Sequence, residues 1–163
     1  MSSVDVELGP GYLVKRVQQA LRRRCDTELR SVGLSMAQYA VLRALADHPT
    51  ASAAELARLC FVTRQSLQDV LKGLRSGGLV EDADGPPAGR ARALHLTATG
   101  EKVLDEAHTT VIDVENRMLQ GLSASAQKQL AQALLRCAQN LESTTSAGSI
   151  TGQGAAGELT DDR

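Results

Sequence analysis

Apolar residues recur at helical spacing over most of this chain. From Gly11 to about Val32, Leu13, Val17, Leu21, Leu29 and Val32 form one stripe among polar positions that include Arg22, Arg23 and Arg24, which predicts a long amphipathic helix. Ser35 to Gln38 spells S-x-x-Q, a capping box, with Leu34 and Tyr39 placed as the hydrophobic staple around the helix start. The helix it opens is expected to run to about Asp47, where His48-Pro49 ends it. Ser52 to Glu55 repeats the device as S-x-x-E and opens a short helix with Leu56 and Leu59 on its inner face. Cys60, Phe61 and Val62 read as a turn. Thr63 is then the N-cap of a helix through Ser76, whose Leu67, Val70, Leu71 and Leu74 face inward and which Gly77-Gly78 stops.

After that stop the pattern shortens. Leu79 to Ala83 and Arg90 to Leu96 are extended candidates separated by Asp84-Gly85-Pro86-Pro87-Ala88-Gly89, which predicts a small hairpin. Thr97 caps a further helix in which Leu104, Ala107, Val111, Val114 and Met118 form a narrow seam suited to pairing with another helix. Ser123 opens a last helix with Leu130, Leu134 and Leu141 on one face. From Ser143 the Ser, Thr, Gly and Ala content predicts a disordered tail over 143–163. The expected fold class is mostly α with a small two-stranded β wing.

Composition agrees with helices and narrows the chemistry. Hydrophobic residues make up 42% of the chain and aromatics only 2%, so the core is built from Leu, Val and Ala. Lys and Arg number 18 against 19 Asp and Glu, and a net charge of −1 carries no global signal for nucleic acid; any such surface is local. No apolar run approaches the roughly 20 residues of a membrane span, and no secretory signal is legible, so a cytoplasmic protein is expected. Cys25, Cys60 and Cys137 are odd in number and widely spaced, which reads as free thiols. His48, His95 and His108 are dispersed and form no metal-ligand pair. No phosphate loop, nucleophile elbow or triad spacing is present, so neither an enzyme nor a cofactor is expected.

Two helices joined by a tight turn can set the second in a DNA major groove, with the hairpin lying along the backbone. On the Thr63-capped helix the positions opposite the Leu stripe are Arg64, Gln65, Gln68, Asp69 and Lys72. Arg64 suits bidentate contact with guanine, Gln65 or Gln68 suits adenine, and Thr63 and Ser66 offer hydroxyls for phosphate or base. Arg90 and Arg92 stand two apart on a short strand and project to one side, within reach of a minor groove or its phosphates. The bland alternative is a solvated helix face in a small helical domain.

The stretch Leu34 to Leu45 resembles the second helix of MarR-family regulators, and Glu55-Leu56-Ala57 with Val62-Thr63-Arg64-Gln65-Ser66 resembles their helix-turn-helix. Gly78-Leu79-Val80 is similar to the family's entry to the wing, and Leu96-Thr97-x-x-Gly100 to its exit into the dimerisation helix. The resemblance covers about Gly11 to Leu141. It implies a winged helix-turn-helix with a helical dimerisation domain: an N-terminal dimerisation helix over 1–33, the DNA-binding region over 34–97 and C-terminal dimerisation helices over 98–142. It further implies a homodimeric repressor that binds double-stranded DNA at a pseudo-palindromic operator, its half-sites about one helical turn apart.

Three departures qualify the picture. The family wing commonly reads D-x-R, whereas Ala88-Gly89-Arg90 stands here, with Asp84 the available substitute; Asp69 and Asp82 occupy positions where relatives often carry arginine, which predicts moderate, strongly salt-dependent affinity. The resemblance also implies a cleft for a small amphipathic or aromatic ligand, for which Tyr12, Arg16, Met36, Tyr39 and His48 are the candidates, with ordinary packing the alternative for Met36 and Tyr39. The cysteine of peroxide-sensing relatives would fall near Gly11 and is absent; Cys25, following three arginines whose charge could lower its pKa, is the redox candidate, with a buried structural thiol the alternative, and Cys60 and Cys137 read as small core residues. The rival to a DNA-binding regulator is a winged-helix protein-interaction module that has lost DNA affinity.

Overall fold

A computed structural model describes residues 6–82 and 94–146. After a short 3-10 turn at Val6–Leu8, the elements are α1 (Pro10–Leu29), a 3-10 turn at Arg30–Val32, α2 (Met36–Asp47), α3 (Ala53–Leu59), α4 (Arg64–Ser76), β1 (Val80–Asp82), β2 (Leu94–Leu96), α5 (Ala98–Met118) and α6 (Ala124–Ser146). The chain divides into two compact units, one ending at Met118 and one beginning at Leu119. The expected mostly helical fold with a two-stranded wing is observed.

Helix starts follow the local chemistry. At α2 the Ser35 hydroxyl accepts from the Gln38 N–H at 3.2 Å while Gln38 Oε1 accepts from the Ser35 N–H at 2.9 Å. At α3 Ser52 and Glu55 make the same reciprocal pair. These caps satisfy amide donors that the first turn of a helix leaves without partners. The stop after α4 falls on Gly78 at φ +66°, with the Leu79 N–H reaching back to the Leu74 carbonyl at 3.0 Å.

The core of the first unit gathers Cys25 and Leu29 from α1, Val41, Leu42 and Leu45 from α2, Leu56 from α3, Leu67, Leu71 and Leu74 from α4, and Leu104, Ala107, Val111 and Val114 from α5. The α5 seam is therefore occupied within the chain: α5 packs on α1 and α2, and only Met118 at its end is exposed. The helix partner that this seam was expected to need is thus supplied by the same chain. Leu59 also departs from its expected inner position. At about 100° per residue Leu59 lies roughly 60° from Leu56 on the side away from Ala57, so it sits at the edge of the face those two bury and is 37% exposed.

In the second unit, α6 begins at Ser123, whose hydroxyl accepts from the Ala126 N–H at 3.2 Å. It continues through Ser146, past the expected start of a disordered tail at Ser143. None of its described side chains is buried, so Cys137 is exposed rather than a core residue.

Candidate nucleic-acid interface

The fold presents α4 on a rigid bed. Leu67, Leu71 and Leu74 are almost wholly buried against α2 and α3, and Val70 is half-buried. Arg64, Gln65, Gln68, Asp69 and Lys72 all lie exposed on the opposite face. Among the described residues, neither Arg64 nor Lys72 is engaged in an ion pair. Gln65 is turned along the helix, its Nε2 donating to Asp69 Oδ1 at 3.3 Å, which gives that carboxylate a neighbour of its own.

Thr63 has a structural task as well as an exposed position. Its Oγ1 accepts from the Ser66 N–H at 3.1 Å and donates to Ser66 Oγ at 2.9 Å, so this hydroxyl is committed to capping α4. Ser66 Oγ accepts there and keeps its own proton for an outward partner.

The wing is anchored at its base by three features of the G-L-V and L-T-x-x-G segments. Val80, Glu81 and Asp82 pair antiparallel with Leu96, His95 and Leu94. The Thr97 hydroxyl donates to the Gly78 carbonyl at 2.7 Å and accepts from the Gly100 N–H at 3.0 Å, capping α5 onto the end of α4. Gly100 is required by close approach, since a Cβ there would overlap the Leu79 carbonyl oxygen and stand 2.9 Å from its carbon. Arg90, Arg92 and the substitute Asp84 lie outside the described residues.

Asp82 pairs with Arg75 at 3.2 Å, tying the end of α4 to β1 and setting a carboxylate against one of the cations beside the wing. His95 and Glu81 face each other across the strands at 3.1 Å.

The candidate cleft residues lie along α1 and α2. Tyr12 and Arg16 are exposed on α1, and His48 is exposed at the C-terminal end of α2. Met36 packs partly buried against the core, and its N–H donates to Asp26 Oδ1 at 2.7 Å. Tyr39 is buried, stacks on His108 of α5 and hydrogen-bonds its Nδ1 at 2.9 Å. Burial raises the Tyr39 pKa, and Arg43 opposes that effect. Among the described residues, no hydrogen bond or ion pair links Tyr12 or Arg16 to Met36, Tyr39 or His48. A groove of about 290 Å³ between α1 and α5 is lined by Val17, Ala20, Leu21, Val114 and Met118 with Arg24 and Arg117, and holds none of the five candidates. His108, read from the sequence only as one of three dispersed histidines, meets Tyr39 across 69 residues of chain, beyond what local spacing shows.

Cys25 takes the structural alternative. The thiol is fully buried, and its pKa is raised by that burial and then by Glu115 and Asp26. Arg22 and Arg24 are turned to Asp26 and Glu28 at 3.9 and 2.8 Å, so their charges are spent on carboxylates. Cys60, half-buried, approaches the Ala40 carbonyl at 3.6 Å, and burial raises its pKa too.

A two-stranded wing clamped by glycine and threonine to a helix-turn-helix is the arrangement against which known proteins are compared. The sequence model of the MarR family matches residues 32–91. The chain is 34% identical over 124 residues to the HTH-type transcriptional repressor Rv2887 of Mycobacterium tuberculosis, spanning 76% of this chain and 89% of that one. The chain belongs to the MarR family. Solved structures of the Mycobacterium tuberculosis MarR family protein Rv2887 superpose with a TM-score of 0.66 in complex with DNA and 0.68 in complex with salicylic acid. Both share 32% identity and cover 79% of this chain, with 97% and 96% of the respective solved chains matched. The transcriptional regulator HosA of Escherichia coli is 36% identical over 95 residues, 58% of this chain and 70% of its own. This MarR-family chain thus shares its architecture with regulators solved on DNA. Among its described residues no helix is long and apolar enough to cross a membrane.

Proposed function

We propose that this protein is a homodimeric transcriptional repressor that binds a pseudo-palindromic operator in double-stranded DNA and is released by a small amphipathic or aromatic ligand. The observation that carries this reading is the division of α4 into a buried Leu67-Leu71-Leu74 face and an exposed Arg64-Gln65-Gln68-Lys72 face. A capped helix with that division can enter a major groove without disturbing its own core. Thr63 and Ser66 add hydroxyl and backbone groups at the helix start, and Arg90 and Arg92 on the wing reach the minor groove or its phosphates.

Dimerisation joins segments 1–33 and 98–142, and 34–97 reads the DNA. Exposed apolar side chains on α1 (Tyr12, Val14, Val17) and on α6 (Leu134, Leu135, Leu141) support it, because faces of this kind seek cover in water. The ligand cleft involves Tyr12, Arg16, Met36, Tyr39 and His48, with His108 added through its bond to Tyr39. The Rv2887 structure with salicylic acid supports a small aromatic acid as the ligand class. The protein acts in the cytoplasm, without catalysis, cofactor or metal.

The test is a titration of the protein against a sequence-selected duplex at low and moderate salt. Wild type binds selectively, and its affinity falls steeply with salt. Arg64→Ala relaxes specificity at one base pair, whereas Arg90→Ala weakens all duplexes alike and lowers the salt slope by about one unit. No salt-sensitive retention on DNA by a protein that still dimerises would return the reading to a protein-interaction module.

A further inference from the structure

We infer that Phe61, at the tip of the turn between α3 and α4, is an apolar DNA-reading residue that packs on a thymine methyl group beside the recognition helix; the inference rests on the reading of α4 as the groove-binding element. Phe61 is the single phenylalanine of the chain. It is 93% exposed, more than any other large hydrophobic side chain among the described residues. It is also the one non-glycine among them with positive φ, at +53°, a region that side chains other than Asn and Asp rarely hold.

The two facts together separate the ring from folding. The backbone turn is set by its own hydrogen bonds, Phe61 N–H to the Arg58 carbonyl at 3.2 Å and Val62 N–H to the Ala57 carbonyl at 3.0 Å. Glycine would make that turn without strain. The phenyl ring neither eases the backbone nor buries surface within the subunit, so its use lies outside the subunit.

What surrounds the ring says what it meets. Phe61 stands two residues before Thr63, the N-cap of α4, at the end of the helix that approaches the groove. Arg58 and Arg64 flank it in sequence, and no acidic residue occurs between Leu56 and Gln68. The nearest acids on either side are engaged: Glu55 accepts from the Ser52 N–H at 2.7 Å, and Asp69 accepts from Gln65 at 3.3 Å. Leu59 adds a second partly exposed apolar group. An apolar ring between cations suits a polyanion that carries apolar groups on its surface. The thymine 5-methyl groups of a major groove are that chemistry, and phenylalanine is among the side chains that read them.

The experiment compares wild type, Phe61→Ala and Phe61→Gly on the duplex that wild type selects from a random-sequence pool. Each thymine is replaced in turn by uracil, which deletes only the methyl group. Wild type is expected to lose about fourfold in affinity at one or two positions, the effect of one methyl-sized burial. Both variants bind more weakly than wild type, bind thymine and uracil duplexes alike there, and keep the salt slope of wild type because no phosphate contact is lost. Phe61→Gly melts at or above the wild-type temperature, which separates lost binding from lost folding. Variants that bind as wild type does, with the uracil effect intact or absent throughout, overturn the inference and leave the ring to a protein contact. Failure of wild type to select any duplex overturns the reading of α4 itself, a result distinct from selection that ignores Phe61.

Discussion

Helices α4 and α6 are written in the same amphipathic language and meet opposite surroundings. In α4, Leu67 and Leu74 are 0% exposed, and the leucine stripe is buried against α2 and α3. In α6, Leu130, Leu134 and Leu141 are also in register along the helix, yet they are 38%, 47% and 77% exposed. Periodicity states which face of a helix needs cover. It does not state whether the same chain supplies that cover. For α4 the cover is local in sequence, the neighbouring helices of the helix-turn-helix, and the polar face is left exposed. For α6 no described residue supplies it within its own unit, and the proposed dimer would cover that face with a second copy of the chain.

The largest expected effect tests that difference directly. Leu67→Ala leaves a cavity under α4 and lowers subunit stability by about 2–5 kcal/mol, read from urea unfolding with the unfolding slope unchanged. Leu134→Asp leaves the subunit folded by circular dichroism and shifts the dimer to monomer in sedimentation. A Leu134→Asp protein that stays dimeric would break the comparison.

A smaller effect belongs to the cap of α4. Thr63→Ala removes the hydroxyl that accepts from the Ser66 N–H and costs about 1 kcal/mol in thermal or urea unfolding. If stability is unchanged while DNA affinity falls, the hydroxyl serves the interface more than the helix.

The smallest effect is confined to acid. The Ser52 backbone N–H, followed by its hydroxyl, holds the Glu55 carboxyl below its ordinary value of 4.5. A lowered folded pKa means a contribution that is present above the unfolded value near 4.5 and is lost as pH falls through the lowered folded value. Glu55→Gln therefore flattens the acid limb of the stability profile there, and an unchanged limb would show that the cap does not couple α3 to the bed beneath α4.

Much of the fold was legible because its signals are short. The capping pairs Ser35 with Gln38 and Ser52 with Glu55, the Thr63 cap and the glycine stop at Gly78 all act within a few residues, and each formed as its local chemistry requires. The exposed face of α4 followed from helical geometry alone. Distant partners were not legible. Tyr39 and His108 are 69 residues apart, and their bond exists only because α5 packs on α2. Arg75 meets Asp82 only because the chain reverses at Gly78.

Local pattern thus determined the order of helices, their caps, the residues on the exposed face of α4 and the resemblance to the MarR family. Long-range packing decided the rest: that Cys25 is buried beside Glu115 and Asp26 rather than activated by arginines, that the α5 seam closes on α1 and α2, that Gly100 must admit the Leu79 carbonyl, and that Phe61 is held outward at positive φ. The reason is the range of the forces involved. Capping and amphipathicity are settled within one or two turns of chain, whereas burial, ion pairing and close approach depend on which surfaces the folded chain brings together.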